Sequence, residues 1–209
     1  TAYTQKWRDM GNSNADPNSG YQAQAQVYKN LKGLLDQNPN LGPGSAAANQ
    51  FIGRISTMTG QKIPDLNTAY QEATSYLDRL SAQQSTATGA ANKFQDVQAA
   101  GATGNPEVMG PPALKEKLLF GASVNEAANA HTQAATKFQA NYGSRAAAAG
   151  PQFESAWAAN ADPIAFRLMS DRNLGDDNDY KATLKKASPL VLHHYENLLT
   201  MLGGKIPNQ

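Results

Sequence analysis

Glycine, proline and asparagine interrupt this chain roughly every 15 to 20 residues, and between the interruptions apolar residues recur at three- and four-residue spacing. No run alternates apolar and polar residues over a useful length, so the pattern excludes a substantial sheet. It predicts an all-α chain of short-to-medium helices joined by Gly/Pro/Asn-rich loops. No repeat of fixed period is evident.

Alanine sets the character of these helices, filling 35 of the 209 positions. It favours helix but buries little area compared with Leu or Phe. The large anchors are two Trp, six Phe and eight Tyr. Such a thin core predicts modest stability for a monomer, or extra burial supplied by partner subunits.

Residues 1–20 read as a polar N-terminal arm, because Asn12 to Gly20 carry no apolar period. Trp7 stands out within it and is expected to dock on something. Residues 21–110 form a helical N-terminal half. Its first helix spans Tyr21 to Gln37, with Val27, Leu31, Leu34 and Leu35 on one face. A second is capped by Ser45, and a third opens at Pro64 or Asp65. Ser81 to Gly110 is nearly featureless, with a short helix near Lys93 and a loop over Gly101–Gly110.

Residues 111–209 form a helical C-terminal half, expected to hold the better-packed core. Pro112 to Phe120 reads as a short helix. Ser123 with Glu126 forms a capping-box pattern for the next, which runs to about Tyr142. Its alanine-lined face lets another helix approach closely. Further helices start at Gly150-Pro151, at Asp162-Pro163, after the acidic run 176–179, and at Ser188-Pro189.

Zero cysteine excludes disulfides, cysteine zinc sites and thiol catalysis. The net charge is +1 with no long basic run, unlike a dedicated nucleic-acid binder. No apolar run is long enough to span a bilayer, and nothing at the start resembles a signal peptide. The first residue is Thr, which fits either loss of an initiator Met or a piece of a longer polypeptide.

Four places carry candidate chemistry. His193, His194 and Glu196 offer metal-ligating types, but adjacent residues on a helix point about 100° apart, and the remaining histidine is His131. Asp171 to Asp179 is rich in oxygens suited to calcium. Counted from Asp171, however, positions six and twelve of an EF-hand loop hold Asp176 and Ala182 rather than Gly and Glu. The plainer reading is an acidic loop that caps the next helix. Gly42-Pro43-Gly44-Ser45 lacks the Lys-Ser/Thr tail of a phosphate loop and reads as a turn plus cap. Glu154-Ser155 resembles the Glu-Ser pair of soluble lytic transglycosylases, whose Glu is a general acid for peptidoglycan cleavage. The Gly-Leu-Met-Gln type segment of that family is absent. The competing reading makes Glu154 a surface residue beside a buried Phe153 and Trp157. On balance the chain is expected to be non-enzymatic, with no catalytic, metal or cofactor-binding residue and no cofactor.

Two stretches carry a family resemblance. One is Leu41-Gly42-Pro43-Gly44-Ser45-Ala46-Ala47-Ala48-Asn49-Gln50-Phe51-Ile52. The other is Phe138-Gln139-Ala140-Asn141-Tyr142-Gly143-Ser144-Arg145, continuing through Phe153-Glu154-Ser155-Ala156-Trp157 to Phe166. Together they resemble the helical, non-catalytic regions of bacteriophage internal virion proteins, the DNA ejection proteins. The likeness is one of style over most of the chain and transfers no functional residue. It implies a protein carried in the phage particle interior and delivered into the host cell envelope. Its partners would be copies of itself in a homo-oligomer and other virion proteins, portal or other ejection proteins, with transient contact to DNA and envelope. The alternatives are a peptidoglycan-degrading virion-associated protein and a bacterial secreted helical interaction module. Trp7, Ala127, Ala134 and Phe138 are the expected contact residues, either with neighbouring subunits or within the chain itself.

Overall fold

The computed structural model describes residues 2–18, 20–101 and 110–207. It is all-α, with no strand among the described residues. In chain order the helices are α1 (Ala2–Asn14), α2 (Tyr21–Gln37), α3 (Ala46–Thr59), α4 (Leu66–Ser85), α5 (Ala91–Gly101), α6 (Pro111–Tyr142), α7 (Ala146–Asn160), α8 (Pro163–Asn173), α9 (Asp177–Lys186) and α10 (Pro189–Leu202). Single 3-10 turns follow α4 and α6.

Side-chain caps start many of these helices. Ser45 Oγ accepts from the Ala48 amide, and Asp65 from Thr68. Asp162, Asp176 and Ser188 do the same for α8, α9 and α10. Each satisfies amide groups that the first helical turn leaves unpaired.

Helix α6 is the axis of the fold. Its 32 residues span about 48 Å at the standard rise. Every residue from Gly121 to Thr132 is buried, so neighbours enclose it on all sides. Helices α1, α2, α4, α7, α8 and α10 all pack against it. Small side chains permit this approach, and Gly121 permits the closest one. A Cβ there would lie 2.9 Å from the Tyr28 ring.

The buried stretch also carries polar groups, each matched to a neighbour. Asn125 Oδ1 accepts from Gln84 of α4, and Asn129 Oδ1 accepts from Asn14 of α1 at 3.0 Å. Glu126 accepts from Tyr21 of α2 at 2.6 Å. His131 Nδ1 lies 2.9 Å from the Ala87 carbonyl. Buried polar groups are costly without partners, so these pairings fix the register of the surrounding helices.

Two apolar clusters meet along α6. Its N-terminal part, with Leu114, Leu118, Leu119 and Ala122, closes a cluster with α2, α3 and α4. Its C-terminal part joins α1, α5, α7, α8 and α10 around Trp7, Phe138, Phe153, Trp157 and Phe166. The Trp and Phe anchors therefore lie mostly inside, while of the eight Tyr only Tyr28 and Tyr70 are buried. Both Trp and five of the six Phe are fully buried.

Several expectations need correction. Most of residues 1–20 is the helix α1 rather than an irregular arm. The two helices expected before and after Ser123 are one, and Ser123 caps nothing; its hydroxyl donates to the Phe120 carbonyl. Glu126 consequently pairs with Tyr21 instead of closing a capping box. Helix α7 starts at Ala146, not at Gly150, and holds Pro151 in its interior. Ile164 and Leu190, apolar residues in the first turns of α8 and α10, are exposed. The loop expected over Gly101–Gly110 falls at 102–109 outside the described residues.

Candidate functional site

The fold brings the four expected contact residues together. Trp7, Ala127, Ala134 and Phe138 all belong to the aromatic cluster and are at most 2% exposed. Trp7 meets Phe138 edge-on at 5.9 Å and Phe153 at 5.5 Å. Their contacts are therefore made within the chain in this fold.

Beside that cluster sits a polar node that links three helices. Glu154 of α7 points toward α1 and α6. The Trp7 indole N–H donates to its Oε1 at 2.6 Å, and Lys6 Nζ to its Oε2 at 3.1 Å. His131 Nε2 lies 3.3 Å from the same Oε2. The other face of the node is a ring stack. His131 lies over Trp157 at 4.8 Å, and the Trp157 indole N–H donates to the Thr88 carbonyl at 2.7 Å.

Burial alone would raise the Glu154 pKa, but His131, as a hydrogen-bonding neighbour and as a charge, outweighs it together with Trp7 and Lys6. The carboxyl is held at about 2 instead of 4.5. A general acid must hold its proton near neutral pH, which requires the opposite shift. Glu154 is thus a half-buried, ion-paired carboxylate and not a free surface residue. Ser155 beside it is exposed.

The other sequence candidates are dispersed into structural roles. Asp176 caps α9 and pairs with Lys32. Lys32 is itself buried among Asp36, Asp176 and Asp179, and Lys115 also reaches Asp36. Asp171 is bound by Arg167 and by the Thr183 hydroxyl. His193 meets Asn197, and His194 faces Asp162 at 3.6 Å. Among the described residues no three His, Cys, Asp or Glu side chains group as a metal site. Gly42 to Ser45 forms a turn closed by the Ser45 amide on the Gly42 carbonyl.

A cavity of about 490 Å³ opens between α2, α6 and α8. Tyr21, Gln26, Glu126, Asn129, Gln133 and Asn173 supply much of its polar lining. The sequence reading missed this site. The available signal was a polar stripe, Asn125/Glu126, Asn129 and Gln133, at helical spacing in an otherwise alanine-rich segment.

No known protein family, no curated protein and no solved structure matches this chain.

Proposed function

We propose that the chain is a structural, non-enzymatic component of a bacteriophage particle, of the ejection type. It would be packaged inside the virion beside portal or other ejection proteins and delivered with the genome. In the host envelope its copies would associate and help the DNA cross.

The observation that carries this reading is the small-residue axis of the fold. The 32-residue helix α6 alone makes the fold about 48 Å long in one direction. A protein that passes a conduit narrower than itself must open at modest cost and re-form without help. Around Gly121–Thr132 the packing is dominated by alanine and short polar side chains, which bury little apolar area each. Helical folds rich in local contacts re-form quickly, in the microsecond-to-millisecond range. No disulfide has to be broken for transit, because the chain holds no cysteine.

The test is the mass of the purified chain in solution, by light scattering or mass photometry, with and without liposomes. A discrete multiple of the 22.2 kDa chain on lipid is the expected result. A monomer under both conditions would overturn the assembly role.

A further inference from the structure

We propose that the cavity beside Glu126 binds a small organic cation through its guanidinium or primary ammonium group. The inference is independent of the virion reading.

Three charged side chains with fixed charge type are buried among the described residues: Lys32, Asp171 and Glu126. Lys32 has three aspartates around it, and Asp171 has Arg167. Glu126, only 7% exposed, has no cation within ion-pair distance among the described residues. Its partner is the Tyr21 hydroxyl, which donates to Oε2 at 2.6 Å. Apart from that neutral donor, among the described residues, the carboxylate meets only the cavity and its solvent. Unlike the other two, this one lines a cavity.

The chemistry of the walls narrows the occupant. An anion would be repelled by Glu126. An apolar ligand would strip Glu126 of water and leave it unpaired. A divalent metal ion is usually held by several charged ligands, and among the described residues no three His, Cys, Asp or Glu side chains group here. Gln26, Gln133 and Asn173 line the same cavity and carry primary-amide carbonyls that can accept. Lys29 also lines the cavity, but it is exposed and makes no ion pair with Glu126. A cation with several N–H donors satisfies both the charge and the acceptors. Leu174 and Leu202 provide surface for its alkyl part.

Tyr21 acts as the positioning residue. Burial and then the charge of Glu126 push its phenol above the ordinary range, so it stays a donor, and Asn173 hydrogen-bonds the same phenol. This clamp fixes one carboxylate oxygen and leaves Oε1 without a donor from the described residues.

The experiment is a ¹H–¹⁵N NMR titration of the whole chain with N-acetylargininamide, with putrescine, and with the neutral isostere N-acetylcitrullinamide. Arginine-like binding would assign the site to a basic side chain of a partner, and putrescine binding to a free amine. At least one cation should shift cavity resonances of α2, α6 and α8 and bind about tenfold tighter than the citrulline compound, the scale of one charge-assisted hydrogen bond. Glu126→Gln should abolish that preference, and Tyr21→Phe, which releases the carboxylate from its clamp, should weaken cation binding while the preference over citrulline persists in reduced form. Equal binding of the citrulline compound, unchanged binding by Glu126→Gln, or no shift from either cation at millimolar concentration would overturn the proposal. The wild-type comparison with citrulline decides even where Glu126→Gln fails to fold.

Discussion

Replacing Trp7 by alanine tests whether α1 is part of the fold. Trp7 is 2% exposed and packs on Tyr3, Phe138 and Phe153. A buried Trp removes about 200 Å² from water, worth about 5 kcal/mol at 25 cal/mol/Å². The indole N–H also serves Glu154. That carboxylate keeps Lys6 and is 17% exposed, so water replaces part of the lost bond. The Ala Cβ stays buried and offsets part of the area term, so the expected net loss is about 4 kcal/mol, inside the usual range for Trp→Ala. For a chain of this length it lowers Tm by roughly 8 to 16 °C. Trp7→Phe keeps most of the packing but drops the donor, and should cost about 1 to 2 kcal/mol. Urea unfolding followed by far-UV circular dichroism measures both, with Trp157 fluorescence as a second probe. A loss below about 1 kcal/mol for Trp7→Ala would refute the docked helix and restore the loose arm.

Other perturbations probe the ionic nodes and the ring stack. Glu154 has a folded pKa of about 2 against 4.5 when unfolded, so it stabilises the fold fully above pH 4.5. That contribution, at most about 3 kcal/mol, drains away as pH falls from 4.5 toward 2. Asp176, held at about 2 by its bond from Lys32, acts in a similar window. Urea midpoints against pH should fall more steeply for wild type than for Glu154→Gln; parallel curves would contradict the pairing. The same variant and wild type should be equally inactive on purified peptidoglycan, and release of soluble fragments by wild type alone would reinstate Glu154 as an acid. Lys32→Met leaves Asp36, Asp176 and Asp179 facing only Lys115 and should cost about 3 to 5 kcal/mol in denaturant melts, with Asp176→Asn added on top recovering part of it. Gly89 has φ +70°, and a Cβ there would lie 2.7 Å from Trp157 and 2.8 Å from His131. Gly89→Ala should therefore cost about 2 kcal/mol or more and change the near-UV dichroism of Trp157.

Helix positions were legible where polar caps and breakers coincide. Ser45, Asp65, Asp162, Asp176 and Ser188 all act as the sequence suggests, and α2 runs from Tyr21 to Gln37 as its apolar face predicts. Helix α1 was hidden because a single residue, Trp7, is buried in it. The stripe Tyr3, Trp7, Met10 was there to be read, but polar neighbours mask it. The Ser123/Glu126 pattern misled for a different reason. A capping box needs free amides at a helix start, and in mid-helix the amides are already used, so both side chains turned to other partners. The aromatic cluster and the Glu154 node bring together residues some 150 positions apart, which no local pattern encodes. The Glu126 cavity was half legible, since its stripe on α6 is visible but its completion by Tyr21 and Asn173 is not.

The placement of α6 has a mechanical consequence. It lies in the middle of the sequence and at the middle of the molecule, while α1 and α10 lie on its outside. A pull on the N-terminal end loads Lys6 and Trp7 against Glu154 of α7 and against Phe138 of α6, and draws a tryptophan out of the aromatic cluster. A pull on the other end peels α10, taking Leu198 and Met201. Either way the outer helices unwind first and the axle last, so the stretch with the weakest side chains is the one best shielded from traction. When tension is released, that axle is the surface on which the returning helices find their places.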